Sequence, residues 1–327
     1  PNIAAINGIV SATGVATVDI PDAFIINSNS YHVTSIGASA FLNATSLSGV
    51  TIPSSVTSIG ASAFQGTTVL QTVSVSTNVI TYGAGAFNTG STSGLIVTLT
   101  GLASENYVTG LSSWMTSASN YVGNFSASTG KTVTFTAGDI TAGSTYAQVM
   151  AADENAYLFT IDVTNSPNIA TINGIATTTG VTTVEIPDDI LINTTNYTVT
   201  NIGASAFSGM PALSNVTIPI SVTSIGADAF STSLDSDLLV TVTGVTSTVA
   251  DGLRTWMTPI SDYAEKFSAS SGNTVTFTTG DTYAQVMVDQ NAYLFTIDDI
   301  ASPKIAAIND IVPIVGDVGD VVLPGVL

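Results

Sequence analysis

Residues able to do chemistry are few in this sequence and stand apart from one another. The sole histidine, His32, lies in "YHVTSIG", and there is no cysteine. A nucleophile–base dyad of the common type needs a second partner of this kind, and zinc needs several His or Cys ligands. Thr198 takes the place of His32 in a repeated copy of the segment, so the imidazole reads as a solvated or cross-strand side chain. Acidic pairs occur at Asp188 and Asp189, at Asp298 and Asp299, and at Asp153 and Glu154. Adjacent acids on an extended strand point to opposite faces, which argues against a concerted acid–base pair. Calcium, which takes several oxygen ligands, is the one cation these acidic turns leave open, although no D-x-D-x-D-G loop is present. Thr132, Thr134 and Thr136 alternate along "TVTFT", as do Thr274, Thr276 and Thr278. One such strand per module is too few for a flat ice-binding ladder. The expectation is therefore no catalytic, cofactor-binding or metal-ligating residue, and no enzyme.

Composition excludes further classes of function. Of the 327 residues 45% are hydrophobic and 8% charged, so Ser, Thr, Asn and Gly must cover the surface. Four basic residues, Lys131, Arg254, Lys266 and Lys304, face 23 acidic ones, for a net charge of -19. Isolated cations cannot neutralise a run of phosphates, so neither nucleic acid nor an anionic membrane is a partner. No apolar run reaches about 18 residues, so no membrane-spanning helix is expected.

The elements that carry these residues repeat at two periods. The short period is 23 residues: Phe41, Phe64 and Phe87, then Phe207 and Phe230, recur in register with Ile36, Ile59, Tyr82, Ile202 and Ile225. Each cycle adds an alternating segment, "VATVDIP", "LSGVTIP", "LQTVSVS", "VTTVEIP" or "LSNVTIP", which reads as a short strand ended by proline or a polar residue. The "VTSIG" that follows predicts a second short extended piece and a turn using glycine at positive φ. Phe and Ala of "ASAF" then form stacked core rungs, one per coil.

The long period is a duplication. "PNIAAINGI" at residue 1 returns as "PNIATINGI" at 167 and "PKIAAINDI" at 303, and "NAYLFTID" begins at both 155 and 291. The segments around Trp114 and Trp256 mix three- and four-residue apolar spacings, which predicts one or two short helices in each. Both tryptophans suit caps over the last coil of a solenoid.

The order "NAYLFTID", "IATINGI", "VTTVEIPDDI", "YTVTNIGASAF", continued by "VTIP" and "SVTSIG", resembles BspA-type leucine-rich repeats, closely over residues 155–230 and nearly as well over 1–87. The resemblance implies a curved repeat solenoid in an extracellular, surface-attached or secreted protein, commonly an adhesin, with no shared catalytic site.

The expected fold class is mainly β: tandem short leucine-rich-repeat solenoid modules with short helical Trp-bearing caps. Residues 1–144 form a first module of three coils that lacks its first strand, and residues 145–281 a second of two coils. Residues 282–327 begin a third module or act as a docking segment. The expected function is that of an extracellular, cell-surface structural or adhesive repeat protein. Copies would associate head to tail, residues 282–327 packing on the incomplete first module, in a surface array or filament. The alternative is an adhesin module that recognises a host protein or glycan. Its interaction face would present Asp19, Thr51 and Ser74 in the first module and Glu185 and Thr217 in the second.

Overall fold

A 23-residue cycle cannot bury its apolar side alone, so its alternating segments become strands by stacking on those of the next cycle. The computed structural model describes residues 2–9, 14–102, 110–111, 113–115, 121–129, 131–137, 145–149, 155–164, 167–192, 194–231, 237–245, 253, 255–257, 266–268, 274–279, 282–286, 292–298 and 305–312. Contacts divide the chain into two units. One comprises Pro1–Met150, Ala156–Asn168 and Leu191–Tyr197, and the other Ala151–Asn155, Ile169–Ile190 and Thr198–Leu327.

The strands up to residue 162 are β1 (Asn2–Ile6), β2 (Thr17–Asp19), β3 (Ala23–Ile26), β4 (Asn29–Ile36), β5 (Gly49–Ile52), β6 (Ser58–Ile59), β7 (Thr72–Ser76), β8 (Thr81–Tyr82), β9 (Phe87–Asn88), β10 (Leu95–Thr100), β11 (Phe125–Ser126), β12 (Val133–Thr136), β13 (Thr145–Val149) and β14 (Ala156–Asp162). In the first unit β2, β5, β7, β10 and β12 pair in that order, all parallel, and β13 and β14 extend the sheet antiparallel. A second sheet runs β1, β4, β6, β8, with β3 folded back on β4. Val50, Val73, Val97 and Phe135 lie opposite one another in the first sheet and are buried. Ile36 and Ile59 do the same in the second.

Between the sheets the phenylalanines stack. Ring centroids are 4.8 Å apart for Phe41 and Phe64, 4.7 Å for Phe64 and Phe87, and 4.7 Å for Phe87 and Phe125, with planes within 6°. The ladder thus gains a rung that the 23-residue period does not announce. Phe125 lies beyond the Trp segment, and β11 pairs with β9 to place it. Residues 110–111, 113–115 and Tyr121–Asn124 are helical, and Leu111, Trp114 and Met115 are buried. The Trp114 ring meets Phe125 at 6.4 Å and Phe135 at 5.6 Å, closing the end of the ladder.

The remaining strands are β15 (Ile169–Ile175), β16 (Thr183–Glu185), β17 (Asp189–Ile192), β18 (Thr195–Ile202), β19 (Asn215–Pro219), β20 (Ser224–Ile225), β21 (Phe230–Ser231), β22 (Leu238–Thr243), β23 (Phe267–Ser268), β24 (Val275–Thr279), β25 (Thr282–Val286), β26 (Ala292–Asp298) and β27 (Ile305–Val312). In the second unit β16, β19, β22 and β24 are parallel, and β25, β26 and β27 follow antiparallel. Its ring ladder is Phe207, Phe230 and Phe267, at 5.0 and 4.8 Å. Trp256 is buried and donates its Nε1–H to the Val222 carbonyl at 2.9 Å. Residues 313–327, including "VGDVVLPGVL", lie outside the described residues.

The glycine of each "IG" differs from its expected role. Gly60, Gly83 and Gly226 are absent from the positive-φ positions, which fall instead on Ser39, Ser62, Ser205 and Asp228 two residues after a coil's glycine. What Gly60 supplies is room: a Cβ there would stand 2.4 Å from the Ala38 nitrogen of the preceding coil. Coil backbones approach this closely because Gly60 N–H donates to the Ile36 carbonyl at 2.8 Å.

Candidate functional site

Residues two apart on a strand share a face. In the first unit Asp19, Thr51, Ser74 and Thr98 stand opposite one another on β2, β5, β7 and β10. Beside them runs the row Thr17, Gly49, Thr72 and Ile96. Asp19, Thr51 and Thr72 are exposed, Ser74 and Thr98 half-buried. Most of these residues, with Val50 and Val73, line an open groove of about 290 Å³. Gly49 lowers its floor, since a Cβ there would lie 2.9 Å from the Thr72 hydroxyl oxygen.

In the second unit Glu185, Thr217, Thr241 and Thr278 form the matching row. Asn215 stands at the register position of Gly49 and is exposed, so the floor is raised there. Asp19, Thr51 and Ser74 thus share one row, and Glu185 and Thr217 another. Thr98 and Thr241 extend these rows without having been singled out in the sequence. Their signal was the alternation of "LIVTLT" and "LLVTVT", which lies outside the proline-ended cycle. Chemically the face offers hydroxyls and one carboxylate per row, suited to hydrogen bonding an extended polar ligand.

The other residues considered for chemistry are scattered. His32 is exposed on β4 between Ile3 and Ala23. Asp188 and Asp189 are exposed, and the Asp188 carbonyl accepts the Val199 N–H at 2.9 Å. Asp153, Glu154, Asp299 and the Asp298 side chain lie outside the described residues. Among the described residues no three His, Asp or Glu side chains are grouped to hold a metal. Thr134 and Thr136 are buried, and the Thr134 hydroxyl accepts the Gln148 amide at 2.7 Å.

Apolar side chains are also exposed on β1 and β3. Ile3, Phe24, Ile25 and Ile26 are 67%, 40%, 79% and 56% exposed. Their strands are copies of later ones: Phe24, Ile25 and Ile26 correspond to Ile190, Leu191 and Ile192. Ile190 and Ile192 are only 0% and 2% exposed. Among the described residues, β1 is paired along one edge alone, by β4.

Residues 23–104 and 164–243 match the BspA type leucine rich repeat region, in six copies. No curated protein matches the chain. It is similar to a leucine rich cell surface protein from Faecalibacterium prausnitzii, with 17% identity over 74% of this chain and 72% of that one, at a TM-score of 0.22. It is also similar to a leucine-rich repeat protein from Bacteroides ovatus, at 15% identity, 72% and 55% coverage and a TM-score of 0.23. A leucine-rich repeat protein from Eubacterium ventriosum gives 15% identity, 73% and 71% coverage and a TM-score of 0.19. Among the described residues no helix is long and apolar enough to cross a membrane.

Proposed function

The chain belongs to the BspA-type leucine-rich repeat family through residues 23–104 and 164–243, and on that premise we propose that it is an extracellular structural or adhesive protein of the cell surface whose copies associate head to tail. The exposure of Phe24 and Ile26 where Ile190 and Ile192 are buried supports association. Phe24 and Ile26 stand two apart on β3 and so share one face, and apolar side chains exposed together mark a surface that another can cover. A contact between unlike surfaces of identical copies propagates, giving an array or filament. Electron microscopy and light scattering over rising concentration test this: chains of copies are expected, and dispersed monomers throughout would overturn it. Protease shaving of intact source cells tests the location, with release of fragments expected.

The groove favours a second reading, a ligand-binding adhesin that holds a host protein or glycan on the row of Asp19, Thr51, Ser74 and Thr98. None of its lining residues is aromatic, so polar contacts rather than ring stacking would hold the ligand. Thr51→Lys and Thr217→Lys fill the face with long cationic side chains. Pull-downs against matrix proteins and glycans should lose their capture in these variants, and unchanged capture would remove this face. No reaction is proposed.

A further inference from the structure

We infer that the groove on the first unit takes a neutral, extended β-1,4-linked glycan lying across the strands, one sugar ring to each coil, with Gly49 as the residue that admits it. This rests on the ligand-binding reading above and adds the class of ligand and its direction. The groove is lined by three consecutive positions on each of β5 and β7, and it reaches over four neighbouring strands, from Thr17 and Asp19 on β2 to Thr98 on β10. Strands about 4.8 Å apart, with residues about 3.3 Å apart along each, make it about 14 Å long across the strands and about 7 Å wide along them. A linear ligand therefore crosses the coils.

The pitch of the hydroxyls selects the ligand. Thr51, Ser74 and Thr98 stand opposite one another, so a hydroxyl recurs at each strand spacing of about 4.8 Å. A pyranose ring in an extended β-1,4 glycan advances its chain by nearly the same step, so successive rings meet successive hydroxyls. An extended peptide presents side chains on one face at every second residue, about 6.7 Å apart, and falls out of step within two coils. Nor can a peptide add here as a further strand, since that mode needs an open sheet edge, and β5 and β7 are each paired on both sides.

The groups on offer suit a sugar. The hydroxyls of Thr17, Thr51, Thr72, Ser74 and Thr98 make no hydrogen bond among the described residues. Away from the groove the Thr67, Thr89 and Ser91 hydroxyls instead donate to the carbonyls of Phe64, Ser126 and Gly94. A hydroxyl both donates and accepts, as the hydroxyls of a sugar require of their partners. The lining holds one carboxylate, Asp19, and no cation, on a chain of net charge -19. A glycan carrying uronate or sulfate groups is repelled there, and a neutral one is not.

Gly49 sets the fit. A Cβ there would stand 2.9 Å from the Thr72 hydroxyl oxygen and 3.5 Å from the Thr17 methyl carbon, so any side chain at this point spans the gap between its neighbours and closes the floor. In the second unit Asn215 holds that register position and is exposed, and Leu239 opposite it on β22 is 37% exposed. Glu185 and Thr217 keep the polar row there, but the row beside it carries an amide and an apolar side chain.

Titration calorimetry of the full chain with cello-oligosaccharides of one to six glucose units tests this. Affinity should rise with length up to four rings, one for each strand of the groove, and then level off. Gly49→Asn installs a residue that the second unit carries at the same position, and it should weaken binding by about tenfold or more. Thr51→Val/Thr98→Val removes two hydroxyls and keeps their shape, and should weaken it by about tenfold. Circular dichroism should show both variants folded. No binding by any oligosaccharide, affinity independent of length, or affinity equal to the parent's in the folded variants would overturn the inference. So would equal affinity for oligogalacturonates of the same length. If no oligosaccharide binds yet Thr51→Lys still abolishes capture of a matrix protein, the glycan falls and the face stands as a protein-binding surface. If Thr51→Lys leaves every capture unchanged as well, the ligand-binding reading falls with it.

Discussion

Tyr82 stands in the row that Ile36 and Ile59 occupy, with its ring 5.3 Å from Phe125 and 6.2 Å from Trp114. Its hydroxyl is buried with no hydrogen-bond partner. Such a group costs about 1–3 kcal/mol, and desolvation by burial pushes its pKa well above the ordinary tyrosine value. The folded state thus holds the proton more tightly than the unfolded chain, whose tyrosine ionises near pH 10. Stability from this group is full below that pH and declines as pH rises above it. Tyr82→Phe is expected to match or exceed the parent by up to about 1 kcal/mol at pH 7, and to lose stability less steeply above about pH 10. Urea unfolding at pH 7 and at about pH 10.5 checks both. The sequence placed Tyr82 in the right row, because the 23-residue register is local. That its ring packs against Trp114 and Phe125, with the hydroxyl buried, depends on residues that no spacing ties to it.

Within a coil, glycine and serine exchange the roles that their types suggest. Gly60 is needed for the close approach of Ala38, and Ser62 holds φ 55°. Gly60→Ala is expected to destabilise by about 1–3 kcal/mol, the usual cost of overpacking. At Ser62 the left-handed conformation costs about 1–2 kcal/mol, offset by about 0.5–1 kcal/mol of extra backbone entropy for glycine. Ser62→Gly should therefore be neutral or mildly stabilising. The urea midpoint of Gly60→Ala should fall while that of Ser62→Gly holds or rises, and equal losses would contradict this account. The strands, the stacked phenylalanines and the site row of Asp19, Thr51 and Ser74 follow from letters at fixed spacing. Phe125 and Phe267 did not, because the Trp segments are inserted between them and the rungs they stack on.

For the molecule as a whole, a net charge of -19 on every copy opposes association. Salt screens that repulsion, with a Debye length of about 10 Å at 0.1 M and about 3 Å at 1 M, and leaves apolar burial in place. Self-association should tighten as salt rises. Sedimentation velocity at low and high salt measures it, and loosening would point to a contact held by ion pairs. The repeat and its inward rows were legible in the chain, because each depends on residues close in sequence that recur at one period. The lead-ins were not legible in the same way. "IAAINGI" and "IATINGI" are nearly one word, yet Ile3 stands 67% exposed and Ala4 and Ile6 half-buried, while the matching Ile169 is half-buried and Ala170 and Ile172 are buried. Burial is a property of what lies across the strand's other edge, and that is set by folding, not by the letters of the strand.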